Sequence, residues 1–264
     1  MEMCGTLSAK RERLVGGKMN TRNRAGRPES SRRRAPLMMG VTSCLLVTAG
    51  FALAAIRPAS SYSLQEGEQG ALAVPEGKGL PVLLDGLFSP GEWEDAKRLD
   101  LDDNVSLFLK SYGGHVLIGV KISPFRTSVV EMFISPDGRA IHHLHASAQI
   151  GERRVNENSG PWDNPPFVWG DTPDWQANEI RWDEGKMQAL IKEGKSEGAA
   201  QELSMFKYDG FEFQIRRSKF GPGPWLFRVE VPTAPRFDKP VVFPGGTTMK
   251  STAGWAKLTW GSGR

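Results

Sequence analysis

Apolar and polar residues alternate with a period of two in several separate stretches of this chain. Val105, Leu107 and Leu109 alternate with Ser106, Phe108 and Lys110 up to Tyr112, Gly113-Gly114 turns the chain, and His115 to Ile122 returns. This pattern predicts a β-hairpin. Val129 to Ser135, the turn Pro136-Asp137-Gly138 and Arg139 to Ala148 predict a second hairpin. Gly210 to Arg217 and Trp225 to Val231, joined by Phe220-Gly221-Pro222-Gly223-Pro224, predict a third, and Trp255 to Trp260 a last strand. Ser89-Pro90-Gly91-Glu92 has the form of a capping box, predicting a single helical turn over Pro90 to Ala96 with Trp93 inward, plugging one end of the sheet pair. Ala199 to Phe206 is the other short helix candidate. Val155 to Tyr208 is the least regular region, with two further strands expected at Gln176 to Trp182 and Lys186 to Lys192. No longer helical period occurs. The expected fold is all-β: a two-sheet antiparallel β-sandwich, jelly-roll-like, with one or two short helices.

The pattern changes upstream. Pro36 to Ile56 is an apolar run without a charge, preceded by Arg32-Arg33-Arg34 and followed by Arg57. Its length suits a membrane anchor, while Ala52-Leu53-Ala54 and Ala59-Ser60-Ser61 suit signal cleavage. The basic flank stays cytoplasmic in either case, so the rest of the chain is expected to be exported, periplasmic or at the cell surface. Three segments follow: a basic leader with signal or anchor over 1–57, a flexible Gly-, Glu-, Ser- and Gln-rich linker over 58–79, and a sandwich over 80–264.

Charge divides along the same boundary. Residues 1–57 carry 11 Lys and Arg against 3 Asp and Glu, and the remainder 23 against 27, a net of −4. A mildly acidic domain repels phosphate at long range, so no nucleic-acid partner is expected. Both cysteines, Cys4 and Cys44, lie in the leader. The domain therefore has no disulfide, thiolate metal site or covalent c-type haem, and is held by its core.

All eight tryptophans follow residue 90, and Trp162, Trp169, Trp175 and Trp182 fall within about twenty residues that also hold Phe167. Indoles either fill a core beneath a long loop or stand exposed as platforms for sugar rings, with Asp163, Asn164, Asp171 and Asp174 at hand for hydroxyls. His143 and His145, two apart on a strand, share a face and either bind an ion together or merely line a solvent-facing strand. Gly194-Lys195-Ser196-Glu197-Gly198 fits the nucleophile-elbow pattern. In that fold the catalytic His follows the Ser, whereas the last His here is His145.

The runs DGLFSPGEWEDA from Asp85, VVEMFISPDG from Val129, GFEFQIRRSKFG from Gly210, WLFRVEV from Trp225 and WAKLTW from Trp255 resemble the carbohydrate-binding module family nine, over most of Leu80 to Trp260. Asp85, Gly86, Trp93, Ala96, Val130, Glu131 and Phe133 match its pattern. The resemblance implies an antiparallel sandwich, stabilised by calcium in the family, that binds carbohydrate and performs no catalysis. Asp85 and Glu131 are then the carboxylates expected near a structural calcium. The two tryptophans that sandwich a sugar in the family align with Phe125 and, less closely, Met249, and Ser135 and Ser128 stand where the family has acids. Phe125, Glu131, Trp162, Trp169 and Trp175 are the residues expected to meet an oligo- or polysaccharide. Two alternatives remain open: a b-type haem electron-transfer domain of similar fold, drawing iron ligands from Met132, Met205, Met249 or His145, or a structural module without a ligand site.

Overall fold

The computed structural model describes residues 70–156, 165–170, 172–232 and 239–260. The leader, the apolar run 36–56, and Trp162, Asp163, Asn164 and Asp171 lie outside the described residues. In chain order the strands are β1 (Ala71–Ala73), β2 (Lys97–Asp102), β3 (Val105–Tyr112), β4 (His115–Ile122), β5 (Val130–Ser135), β6 (Ala140–Ala146), β7 (Ile150–Asn156), β8 (Val168–Trp169) and β9 (Trp175–Ala177). Helices α1 (Glu184–Lys192) and α2 (Glu197–Ser204) follow, then β10 (Gly210–Arg216), the single turn α3 (Arg217–Phe220), β11 (Trp225–Val231), β12 (Val241–Phe243) and β13 (Ala256–Thr259).

Two sheets form. The larger has the order β1-β13-β11-β5-β6-β7-β8, with β12 also pairing β11, and the smaller is β2-β3-β4-β10-β9. Every pairing is antiparallel except β1 with β13. The expected sandwich is therefore the fold.

Its core follows from strand alternation, because residues two apart on a strand share a face. Leu107, Leu109, Ile118, Val120, Phe211, Phe213 and Ile215 from the small sheet meet Val130, Met132, Ile134, Leu144, Trp225, Phe227 and Val229 from the large one, all buried. Burying such a side chain contributes roughly 1.5–3 kcal/mol. Without a disulfide, this layer holds the sheets together.

The outer face of the small sheet carries a second cluster. Phe108 and Leu117 are covered there by Val82 and Trp93, with Phe88 packed alongside. Gly119 makes the space: a Cβ at that position would lie 2.8 Å from Phe88 and 3.0 Å from Trp93. Glu212, on the outward side of β10, accepts hydrogen bonds from Trp93 Nε1 at 2.8 Å and from the Asp85 and Gly86 amides at 3.2 and 2.9 Å. Burial and the neighbouring Asp85 and Glu92 carboxylates raise its carboxyl to about 8, against the donors that favour its anion. Gly86 takes φ +77°, and a Cβ there would lie 2.6 Å from both Asn178 and Tyr208. The Asp-Gly and Trp of the family-like run thus serve to tie the cover to β10.

Several expectations are corrected. Trp93 is buried as expected, but over the outer face of the small sheet rather than at the end of the sheet pair. Residues 90–96 form successive turns, not a helix, and the Glu92 carboxylate accepts from the Leu83 amide instead of Ser89. β10 and β11 are not a hairpin: β10 pairs β4 and β9, while β11 pairs β5, β12 and β13. The connection through α3 and the Gly/Pro run is long enough to cross between sheets, so the two strands, adjacent in sequence, lie in different sheets. Lys186 to Lys192 is helical, because Met187, Leu190 and Ile191 fall at i, i+3 and i+4, and Asp183 caps the helix by accepting from the Lys186 amide at 2.9 Å. The strand expected over Gln176 to Trp182 shrinks to Trp175–Ala177. The linker ends earlier than composition indicates, since Ala71–Ala73 already pairs with Lys257, Leu258 and Thr259. Among the described residues no helix is long and apolar enough to cross a membrane.

Candidate functional site: the outer face of the large sheet

On the large sheet, the residues that do not enter the core are unusually polar and aromatic. Strand register arranges them in two rows. One runs Glu230–Glu131–His145–Gly151–Trp169 across β11, β5, β6, β7 and β8, and the next runs Arg228–Phe133–His143–Arg153 across the first four of these strands.

Glu131 is the centre of the hydrogen bonding. Its Oε2 lies 2.6 Å from His143 Nε2 and its Oε1 2.9 Å from His145 Nδ1. Burial alone would raise this carboxyl, but the two imidazole bonds outweigh burial and hold it at about 2. His143 is driven below its ordinary value, first by desolvation and then by Arg153 and His145, against the pull of Glu131. Arg153 Nε donates to His143 Nδ1 at 3.1 Å, which requires that nitrogen to be unprotonated. A neutral imidazole donating through Nε2 to the Glu131 anion satisfies every contact. On its other edge His145 places Nε2 2.9 Å from Ser147 Oγ.

Aromatic rings cover this polar floor. Phe133 stacks on His143 at 4.2 Å, and Phe167 meets the edges of His143 and His145 at 5.0 and 5.6 Å. The Arg153 guanidinium lies 4.5 Å from the Phe167 centroid. Trp169 lies 5.0 Å from Phe167 and meets His145 edge-on at 5.4 Å. It remains 52 % exposed, and neighbouring Val168 is 70 % exposed. Gly151 seats the indole directly on the backbone, for a Cβ there would lie 2.6 Å from Trp169 Cε3. The result is an exposed flat ring bordered by fixed hydrogen-bonding groups, an arrangement that can stack against the C–H face of a sugar and bond its hydroxyls.

The residues expected from sequence separate here. Glu131 and Trp169 come together on this face. Trp175 does not: it is 1 % exposed within the core, and its Nε1 donates to Glu152 Oε2 at 2.9 Å. It is a core tryptophan and is withdrawn as a ligand platform. Phe125 is half-buried on the core, 5.8 Å from Tyr208 and 5.7 Å from Phe211. Met249 packs instead with Phe133, Ile141, Val155 and Trp255 on the outer face of the large sheet. The two positions that align with the family's sugar-sandwiching tryptophans thus belong to different clusters. Trp162 lies outside the described residues. Phe167, His143 and Arg153 complete the face. Arg153 was missed because its role depends on strand register, which a single sequence does not display, although the β6 histidine pair is visible as His-x-His.

Other expected chemistry finds specific places. Ser196, within Gly-x-Ser-x-Gly, is the N-cap of α2, accepting from the Ala199 amide at 3.4 Å. Both nitrogens of His143 and of His145 are engaged by protein groups. Among the described residues no cluster of three or more His, Cys, Asp or Glu is arranged to hold a metal ion. Asp85 Oδ1 accepts from the Leu87 amide beside the small sheet, whereas Glu131 sits on the large one, so the two carboxylates do not converge on a calcium. Met132 enters the core while His145 lies on the outer face of the same sheet, so these two side chains do not face one iron. Tyr208, next to Phe125, lines an open hollow of about 410 Å³ with Asp85, Gln176, Asn178, Glu179 and Arg181. Comparison with protein-family models, curated proteins and solved structures finds no match to this chain.

Proposed function

We propose that this chain is an exported, non-catalytic carbohydrate-binding domain, acting in the periplasm or at the cell surface, whose sugar site is the outer face of the large sheet. The observation that carries this reading is Trp169, half-exposed, seated on Gly151 and flanked by Phe167 and the Glu131–His143–His145 cluster. A sugar ring stacks on the indole, and its hydroxyls bond to the polar groups bordering it. The strands support the reading, because Glu131, His143 and His145 stand on the rigid β5 and β6 and Trp169 is seated on β7 through Gly151. Such open platforms bind weakly, since each contact competes with water. No reaction is assigned to the face: Glu131 is locked between two imidazoles and is no free general acid.

Isothermal titration of the purified chain against a broad panel of neutral and acidic oligosaccharides tests the proposal. Heat from at least one saccharide, lost in Trp169→Ala, supports it. No heat from any saccharide overturns it.

A further inference from the structure

The hollow beside Tyr208 lies along the open edge of the small sheet, where β9 is the last strand. None of the residues lining it belongs to the Trp169 face. Antiparallel neighbours turn their main-chain groups toward and away from each other by alternate residues. The Asn178 amide donates to the Glu212 carbonyl and the Asp174 carbonyl accepts from the Arg216 amide, so Asp174, Gln176 and Asn178 face β10. Trp175 and Ala177 therefore face the free edge. The Thr172 hydroxyl satisfies Trp175 there, accepting from its amide and donating to its carbonyl, both at 3.3 Å. Ala177 lines the hollow and keeps an N–H and a C=O without a partner among the described residues.

The side chains around Ala177 also hold unused capacity, and they are reachable. Asp85 and Gln176 are exposed. Asp85 commits one oxygen to the Leu87 amide at 2.8 Å, and the Gln176 side chain makes no bond among the described residues. The Tyr208 oxygen accepts from the Arg181 amide at 2.9 Å, which leaves its proton to donate. Asn178, by contrast, is buried and fully bonded: its Nδ2 donates to the Gly210 carbonyl at 3.2 Å and its Oδ1 accepts from the Glu212 amide at 2.7 Å, which fixes the wall in place. Donors and acceptors thus surround one opening of about 410 Å³, near the lower end for small-ligand sites. A cation would answer only the acceptors, and an anion only the donors. An added peptide strand needs a run of free main-chain groups, and Ala177 offers a single pair. A hydroxyl donates and accepts at once. We propose that the hollow is a second carbohydrate site, separate from the Trp169 platform, and that it takes one neutral sugar ring whose hydroxyls bond to the Ala177 main chain, Gln176, Asp85 and Tyr208. The choice of a sugar among polyhydroxylated ligands rests on the carbohydrate reading above.

The test is two-dimensional NMR of the isotope-labelled full chain, titrated separately with glucose, galactose, mannose, xylose and N-acetylglucosamine, with cellotriose and maltotriose, and with calcium chloride and spermidine. At least one monosaccharide is expected to shift the Ala177 amide, and to keep doing so in Trp169→Ala. Gln176→Ala, on an exposed side chain, should weaken that binding about fivefold and leave trisaccharide affinity at the platform unchanged. Monosaccharide binding undiminished in both Gln176→Ala and Asp85→Asn overturns the second site. So does a hollow that answers only calcium or spermidine, or saccharide shifts confined to the Trp169 face; in these cases the platform reading stands. Shifts at Ala177 with none on the Trp169 face from any saccharide would support the hollow and overturn the platform. If no saccharide shifts any amide, both fall. The Ala177 shift in the unmodified chain decides the matter even where a variant does not fold.

Discussion

The indole of Trp175 and the carboxylate of Glu152 join the two sheets: Nε1 donates to Oε2 over 2.9 Å, from β9 of the small sheet to β7 of the large one. Lys219 Nζ at 2.8 Å and His142 Nδ1 at 3.0 Å complete the ring of donors around Glu152. Burial would raise this carboxyl, yet those bonds hold it below its ordinary value. Trp175→Phe keeps most of the apolar contact and removes one donor to a charged group. The expected loss is roughly 1.5–3 kcal/mol of unfolding free energy, read by chemical denaturation, with no change in saccharide affinity. A large drop in affinity with unchanged stability would return Trp175 to the binding site.

Trp169 should behave differently. About half of its surface is packed, on Gly151, Phe167 and His145, so Trp169→Ala is expected to cost roughly 1–2 kcal/mol of stability and to weaken saccharide binding at least tenfold. Thermal unfolding and titration on the same sample separate the two quantities.

What the sequence reveals about these two tryptophans marks the boundary of single-chain inference. Both lie in the same irregular stretch, and both sit on two- or three-residue strands, too short for alternation to show which face is which. By contrast β3 is long enough that period two separates Val105, Leu107 and Leu109 from Ser106, Phe108 and Lys110, and the first three enter the core between the sheets. Pairing partners were less visible than strands. β10 and β11 look like a hairpin because they are adjacent in sequence, yet they belong to different sheets. Arg228 and Arg153 reach the candidate face only through the register of four strands. Met187, Leu190 and Ile191 do carry a helical spacing, but α1 is only nine residues long, too short for that period to stand out in the sequence.

Acidification acts on stability in opposing directions. Glu212, raised to about 8 in the fold, takes up its proton before the unfolded chain does and stabilises the domain as pH falls from 8 toward 4.5. His143 and Glu131 destabilise it. His143 is neutral in the fold and gains a proton on unfolding once the pH falls below its ordinary value of 6.5. The unfolded chain binds more protons there, so stability declines as pH drops. Glu131, held at about 2 against an ordinary 4.5, adds a second decline between those values, up to about 3 kcal/mol. With the opposing titration removed by Glu212→Gln, urea midpoints measured from pH 8 to pH 3 should show the upper decline, and adding His143→Gln should abolish it. An upper step that persists in that variant would assign it to another group.

Gly86→Ala is expected to be severe. The residue needs φ +77°, and the new methyl would sit 2.6 Å from both Asn178 Nδ2 and Tyr208 Cδ1 and 3.0 Å from the Gly210 carbonyl oxygen. Strain at positive φ and overpacking together should exceed about 3 kcal/mol. Gly114→Ala, also at positive φ but with nothing within 4 Å, should cost about 1 kcal/mol, the backbone part alone. Equal melting temperatures for the two variants would show that crowding at the Asp-Gly turn is relieved without cost.

The parallel pairing of β1 with β13 fixes a direction of display. β1 and β13 mark one rim of the large sheet, while β7 stands five inter-strand steps from β1, about 24 Å across the same sheet. Gly70 and Trp260, the first and last described residues, thus stand at one margin of the large sheet and the indole of Trp169 at the opposite one, which leaves the proposed platform clear of both ends of the described chain.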